Sequence, residues 1–374
     1  MRRSVTSLPL HYGRAPQWLF ERMKQLSGAV VSLIVMEFGP RELIRRLADP
    51  IWFQAFGCAA GFDWHSSGLT TTLCGAIKEG VALLGGDLPI AVCGGKGRSA
   101  LRTPAELREY GAQWGIDADG FVAMSRLCAK VDNSLVQDGY DIYHHTFIFS
   151  REGDWAVVQQ GMNGEERTAR RYQWFSRDDL DPICEPHSGV TCDRTEETLN
   201  LVARESDPVR RATMEFVKED PDHMSRIWKE VALSMPERHY ISPADVDGKR
   251  LSKMFRSIHE SHSETYKDLV QIKGVGPKTL AALTLVSEIV YDAPPSFRDP
   301  ARYSFAHGGK DGHPFPVNRK TYDLSIRFLK ECLEGARVND RDKIEAFRRL
   351  TRYESRMESD FSLGEPFESE ERHS

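Results

Sequence analysis

Apolar residues recur at helical spacing over most of this chain, and the places where the recurrence breaks mark its organisation. Trp18, Leu19, Phe20, Met23, Leu26 and Val30 give 17–37 one apolar side, which predicts an amphipathic helix. Gly39 and Pro40 open a second helix over PRELIRRLADP. The next stretch, IWFQAFGCAAGFDWHSSGLTTTLCGAIKEGVALLGG, is aromatic and small in its front half. Its back half, 67–84, reads as a helix with Leu69, Leu73, Ile77, Val81 and Leu84 inward. The apolar run 88–93 predicts a strand, and helices are expected over 103–110 and 119–130.

Between 131 and 176 the character changes. Strands are predicted at 142–150, 155–160 and 169–175, with a hairpin turn at 151–154 where Gly153 supplies positive φ. Residues 177–203 are turn-rich and read as a long loop or linker, with 199–202 a last short element. From Asp207 onward helices are expected at 209–218, 223–232, 243–260, within 265–291, at 320–333 and at 342–352. The polar, acidic end from Glu354 is expected to fray. The predicted fold class is an α+β N-terminal domain followed by an all-α helix-hairpin-helix domain. The boundaries are 1–203 for the mixed domain, 204–357 for the helical one and 358–374 for a flexible acidic tail.

The stretch 265–291, TYKDLVQIKGVGPKTLAALTLVSEIVY, reads as a short helix, a glycine turn and a second helix. Tyr266, Leu269, Val270 and Ile272 give the first an apolar side; Leu280, Ala281, Leu283, Val286, Ile289 and Val290 do so for the second. Gly274, Val275 and Gly276 make a turn expected to be too tight for a Cβ at either glycine. Pro277 fits the first helical turn, where its missing N–H has no partner anyway. Such a turn aims backbone N–H groups outward at a helix N-terminus, which suits a phosphate of a nucleic-acid backbone. Flanking Lys273 and Lys278 add charge. The plainer alternative is an αα-hairpin capped by Gly-x-Gly with no ligand.

Composition narrows the partners only locally. The 374 residues suffice for two or three domains, 40% are hydrophobic and the formal net charge is -5. A DNA site must therefore be a local basic patch. No secretory segment or bilayer-length apolar run is read, and the seven scattered cysteines favour reduced thiols, so the expected localisation is cytoplasmic with no membrane partner. No cofactor is expected, beyond a structural monovalent cation at the hairpin.

The N-terminal half carries its own candidates. In CGGKGR, Lys96 and Arg98 with three glycines could surround a phosphate. Asp132, Asn133, Gln137, Asp138, His144, His145, Gln159, Gln160, Asn163, Arg170 and Arg171 gather at element ends. Adjacent His144 and His145 should point to opposite faces of a strand, one buried and one exposed. Gln159 and Gln160 could read a base edge or hold a loop. Asp132, Asp138 and Gln160 could surround a divalent ion in a nuclease. Cys184, His187 and Cys192 invite a metal but lack a fourth ligand.

KGVGPKTLAALTLVSEIVY resembles the core of the helix-hairpin-helix DNA glycosylase superfamily. The resemblance implies that Lys278 stands at the position of the nucleophilic lysine. It places the essential aspartate at Asn318, in Pro316, Val317, Asn318, 40 positions on and about twice the usual interval. An amide there leaves three readings: the step is inactive in this chain, naturally or by substitution; another carboxylate serves, Asp311 rather than Asp323; or the module only binds DNA. The implied reaction flips out a damaged base, forms a lysine–sugar Schiff base and cuts the strand by β-elimination. Lys273, Gly274, Val275, Gly276, Thr279, His307, Lys310 and Arg319 form the expected DNA-binding set; the loop 307–313 (HGGKDGH) could close over the flipped base or its phosphates, or be a plain surface insertion.

The chain as a whole also resembles an uncharacterised prokaryotic family, mostly archaeal, known as domain of unknown function 763. LPLHYGRAPQWLFERM, DPIWFQAFGCAAGFDWHSSGLTT, AKVDNSLVQDGYDIYHHTFIF, WAVVQQGMN and FAHGGKDGHPFPVN carry that likeness. The expected function is a DNA-repair glycosylase with AP-lyase activity on damaged double-stranded DNA. The alternatives are a metal-dependent nuclease anchored by the hairpin, or a non-catalytic DNA-binding protein.

Overall fold

A computed structural model describes residues 16–62, 67–85, 88–192, 195–234, 246–303 and 319–362. Four helices lead: α1 (Gln17–Phe38), α2 (Pro40–Leu47), α3 (Pro50–Ala60) and α4 (Gly68–Leu83). The Asp49 carboxylate caps α3 by accepting the Ile51 and Trp52 N–H groups at 2.8 and 3.1 Å. Every residue of α3 is buried. A helix without a polar face has no stripe for periodicity to reveal, which is why 50–60 could not be assigned from the sequence. α1 and α4 cross closely: a Cβ on Gly80 would lie 2.6 Å from the Lys24 carbonyl oxygen.

A mixed region follows, with β1 (Ile90–Lys96), α5 (Thr103–Trp114), α6 (Asp119–Ser134), β2 (Val136–Gln137), β3 (Asp141–Ser150), β4 (Trp155–Asn163), β5 (Thr168–Phe175), β6 (His187–Thr191) and β7 (Leu199–Asn200). Five strands form one antiparallel sheet in the order β1-β3-β4-β5-β6, and β2 pairs with β7. The segment expected to be a linker thus contains the fifth strand. Gly189 lets α3 sit against it, since a Cβ there would lie 2.2 Å from Pro50 Cγ.

The C-terminal part is helical: α7 (Asp207–Phe216), α8 (Pro221–Ser234), α9 (Gly248–Glu260), α10 (Tyr266–Gln271), α11 (Pro277–Tyr291), α12 (Arg319–Gly335) and α13 (Asp340–Ser362). α13 runs past Glu354, where fraying was expected; its last turns stay hydrogen-bonded as helix.

Alternate strand residues enter two different cores, as a period of two requires. Phe147, Phe149, Val157 and Trp174 join residues of α5 through α11. Ile148, Ala156 and Val158 join α1 through α4 and also α12 and α13. The sheet is therefore covered by helices on both faces. That overturns the expectation of one exposed histidine: His144 and His145 point to opposite faces, but both faces are covered and both rings are buried. Among the described residues no helix is long and apolar enough to cross a membrane.

Candidate functional site

The turn between α10 and α11 is built from the chain outward. Thr265 and Asp268 form a capping box that starts α10, with the Asp268 N–H donating to Thr265 Oγ1 at 3.2 Å and the Thr265 N–H donating to Asp268 Oδ2 at 3.1 Å. Gly274 has φ +95, a left-handed backbone that favours glycine. Val275 is fully buried and anchors the turn in the core. Gly276 differs: its φ is -134 and no atom lies within 4 Å of an added Cβ. The expectation that both glycines are sterically required therefore fails at Gly276.

Two carbonyl oxygens of the turn are taken by side chains of the mixed region. Lys130 Nζ on α6 donates to the Val275 carbonyl, and Gln137 Nε2 donates to that of Pro277 at 3.0 Å. The N-terminus of α11 has no side-chain cap. Lys273, Gly274 and Lys278 are exposed, and Thr279 is half-buried. Neither lysine has an ion pair or hydrogen bond among the described residues. Ile289 and Val290, expected inward, are 43% and 48% exposed, because α11 outruns the core it packs on. Burial holds the half-exposed Lys130 ammonium below its ordinary proton affinity.

A second concentration of chemistry lies on the face of the sheet that α6 covers. Ser125 on α6 and the His145 ring are 2.8 Å apart, His145 Nδ1 donates to Gln159 Oε1 at 2.8 Å, and Gln159 Nε2 donates to Asp132 Oδ2. Asp132 is fully buried and also accepts from Trp174 Nε1 at 3.0 Å and His187 Nε2 at 2.6 Å. Beside it, Asp138 accepts from Arg170 at 2.8 Å and from the Tyr172 hydroxyl at 2.6 Å, and Arg170 reaches Asp299 at 2.8 Å. Burial raises the Asp138 proton affinity against the pull of Arg170 and Tyr172. On the opposite face Arg171 donates to Gln54 Oε1 at 3.0 Å, and Gln160 Nε2 donates to the Ser67 carbonyl at 2.7 Å.

The sequence candidates of this half are thus sorted by the sheet. Asp132 and Gln159 meet; Asp138 and Arg170 meet; Gln160 lies on the other face. Asn163 Oδ1 holds the turn after β4 by accepting the Glu165 and Glu166 N–H groups, each at 3.0 Å. Most of the glycine run before Arg98 lies in the sheet: Gly94, Gly95 and Lys96 pair with Thr146, His145 and His144, and the Gly94 N–H donates to Glu106 at 2.8 Å. Lys96 and Arg98 are exposed. Asp132, Asp138 and Gln160 are each engaged by protein groups, and among the described residues no group of three or more His, Cys, Asp or Glu could hold a metal.

Asn318, Asp311, Lys310 and His307 lie outside the described residues. Arg319 is the first residue of α12, and Asp323 is exposed on it. α12 packs on α3 and α1, on the sheet face opposite α10 and α11. Two residues escaped the sequence reading. Lys130 carried no signal, being one lysine on an ordinary amphipathic helix. His187 was weighed only as a metal ligand; its partner Asp132 lies 55 residues away and no local motif joins them.

No curated protein and no solved structure matches the chain. The family described as "Protein of unknown function (DUF763)" matches residues 4–317, well over half of the sequence, and the chain belongs to that family.

Proposed function

We propose that the α10–α11 turn grips a DNA backbone phosphate as a helix-hairpin-helix motif, in a DNA-repair glycosylase with AP-lyase activity whose amine is Lys278. One observation carries the reading. Gly276 sits at the N-cap of α11 in open space, with a backbone conformation any residue adopts. The fold does not need a glycine there, whereas a phosphate oxygen approaching the uncapped N–H groups does. Exposed Lys273 and Lys278 flank that approach.

The chemistry follows from the amine. With a damaged nucleotide flipped out, the base leaves as the C1′–N bond breaks, and Lys278 Nζ bonds to C1′. As the amine loses its proton, the C1′–O4′ bond breaks, O4′ taking a proton, and the opened sugar is held as the C1′=N Schiff base; loss of a proton from C2′ then expels the 3′ phosphate by breaking the C3′–O bond and cuts the strand. Sodium borohydride should trap the Schiff base on duplexes carrying an abasic site, uracil, an oxidised pyrimidine or 8-oxoguanine. A covalent adduct is expected with Asn318→Asp and none with Lys278→Ala. If Asn318→Asp also gives no adduct, the lyase reading is lost.

A second reading, DNA binding without chemistry, is favoured by one fact. Lys278 touches no carboxylate among the described residues, as suits a lysine that only contacts phosphate. It predicts salt-sensitive binding that Lys278→Ala weakens slightly and Gly276→Ala strongly.

A further inference from the structure

Two helices abut the hairpin turn, and both carry cations that the protein leaves unpaired. α6 reaches the turn through Lys130, on the Val275 carbonyl, and through Gln137 just beyond its end, on that of Pro277. α9 reaches it through Met254, whose Cε would lie 2.5 Å from a Cβ on Gly274. Residues four apart on a helix share a face and stand about 6 Å apart along it. One turn before Lys130 on α6 is Arg126, and one turn before Met254 on α9 is Arg250. Lys249 and Lys253 are the neighbours of Arg250 on α9. All of these, like Lys273 and Lys278 at the turn, are exposed except Lys130, which is half-buried. None of the exposed ones has an ion pair or a side-chain hydrogen bond among the described residues.

The carboxylates nearby are spent or distant. Between 247 and 279 seven lysines and arginines stand against four aspartates and glutamates, in a chain whose formal net charge is -5. Asp247 caps α9 by accepting the Lys249 and Arg250 N–H groups at 2.9 and 3.2 Å, and Asp268 is held in the capping box of α10. Glu260 is at the opposite end of α9 from Lys249, and Glu264 follows it in the connection to α10. Asp222 on α8 pairs with Arg256 at 3.3 Å. On α6, Asp119 takes Arg108 at 3.0 Å, and Asp132 is buried. Like charges gathered without counter-charges disfavour the compact state, so the fold gains nothing from this arrangement and a bound polyanion offsets it. No large hydrophobic side chain of α6, α9 or α10 is among the exposed ones, so an apolar peptide or a lipid surface finds no anchor here.

We propose that duplex DNA lies across this whole surface, with Arg126 of the mixed region and Arg250 of the helical part each taking a backbone phosphate beyond the one at the turn. On the reading that the hairpin grips DNA, on which this rests, the two halves of the chain form one continuous interface. A phosphate backbone repeats its charge along its length and meets cations spread over several helices, whereas a small anion reaches one or two of them.

The test is fluorescence anisotropy of the full chain with a short labelled DNA duplex, between about 50 and 200 mM salt. Log affinity falls against log salt with a slope of about -0.9 for each phosphate neutralised. Arg126→Ala combined with Arg250→Ala should flatten that slope by about 2. The melting curve should not move, since both side chains are exposed and unpaired. Arg327 is exposed on α12, which packs on the other face of the sheet, and Arg327→Ala should leave the slope as it is. An unchanged slope in the double variant overturns the proposal, as does equal flattening by Arg327→Ala or tighter binding of duplex RNA of the same sequence. If the slope is unchanged but Gly276→Ala weakens binding, only the extended surface is lost and the hairpin reading stands. If the parent chain binds no DNA at all, both fall together.

Discussion

His187 and Asp132 meet at 2.6 Å across 55 residues of sequence, and every hydrogen bond in their neighbourhood points the same way. Gln159, Trp174 and His187 all donate to the one carboxylate, and His145 donates to Gln159 behind it. A buried carboxylate with several donors is stable only as a complete set; an incomplete one leaves donors with nowhere to go.

Asp132→Asn keeps the shape but replaces an acceptor oxygen with an NH₂ that faces donors. The loss of unfolding free energy is expected to be about 3 kcal/mol, in the range for breaking a buried charged network. Chemical denaturation of the variant beside the parent measures it. A loss below about 1 kcal/mol would show that the cluster is far more forgiving than its geometry implies.

His144 and His145 give the fold an acid-sensitive side. Burial, then the neighbouring charges of His145 and Lys96, hold His144 down to about 3 from an ordinary 6.5, and burial also lowers His145. Below pH 6.5 the unfolded chain binds protons that the folded chain refuses, so stability falls as pH drops from there towards 3. His144 contributes a slope of about 1.4 kcal/mol per pH unit within that window, and His145 acts in the same direction. Urea melts between pH 4 and 7 should show a shallower slope in His144→Gln, and an identical slope would refute the assignment.

The two hairpin glycines should separate cleanly. Gly274→Ala strains a φ of +95 and sets a Cβ 2.5 Å from Met254 Cε, so it should cost about 1 kcal/mol or more of stability. Gly276→Ala has open space and should leave the melting curve unchanged. Fluorescence anisotropy with duplex DNA should nevertheless show weaker binding for Gly276→Ala, by about tenfold for one lost phosphate contact. Unchanged affinity there would remove the main support for the DNA reading.

Arg170→Met would leave Asp138 and Asp299 facing each other without their shared cation. Removing one partner from a buried ion pair costs about 3–5 kcal/mol. A double variant that also carries Asp138→Leu should recover part of that loss, since it removes one of the stranded charges. Thermal melts of the two variants beside the parent decide the point; no recovery would mean that shape rather than charge governs the site.

Much of this was legible, and the failures have physical causes. The helices over 17–37 and 119–130 and the strand over 142–150 were found because each keeps its period. α3 was missed because it has no polar side, and β6 because five residues between turn-formers carry little pattern. The polar residues of the N-terminal half were noticed as a group, but not their division. Which of Arg170 and Arg171 joins Asp138 depends on strand parity and on both faces being covered, and a single sequence shows neither cover. For the same reason nothing in the chain announced that α12 and α13 return to the α1–α4 face.

α6 lies between the two places where chemistry collects. Lys130 on it ties down the hairpin turn, and two residues later Asp132 fixes the His187 ring. A helix moves as a stiff rod, so a displacement at one end of this pair is carried to the other. If DNA pulls on the turn, the His187 ring should register it. Measuring His187 ring shifts with and without duplex DNA would test this hypothesis, and an unchanged spectrum would mean the two sites ignore each other.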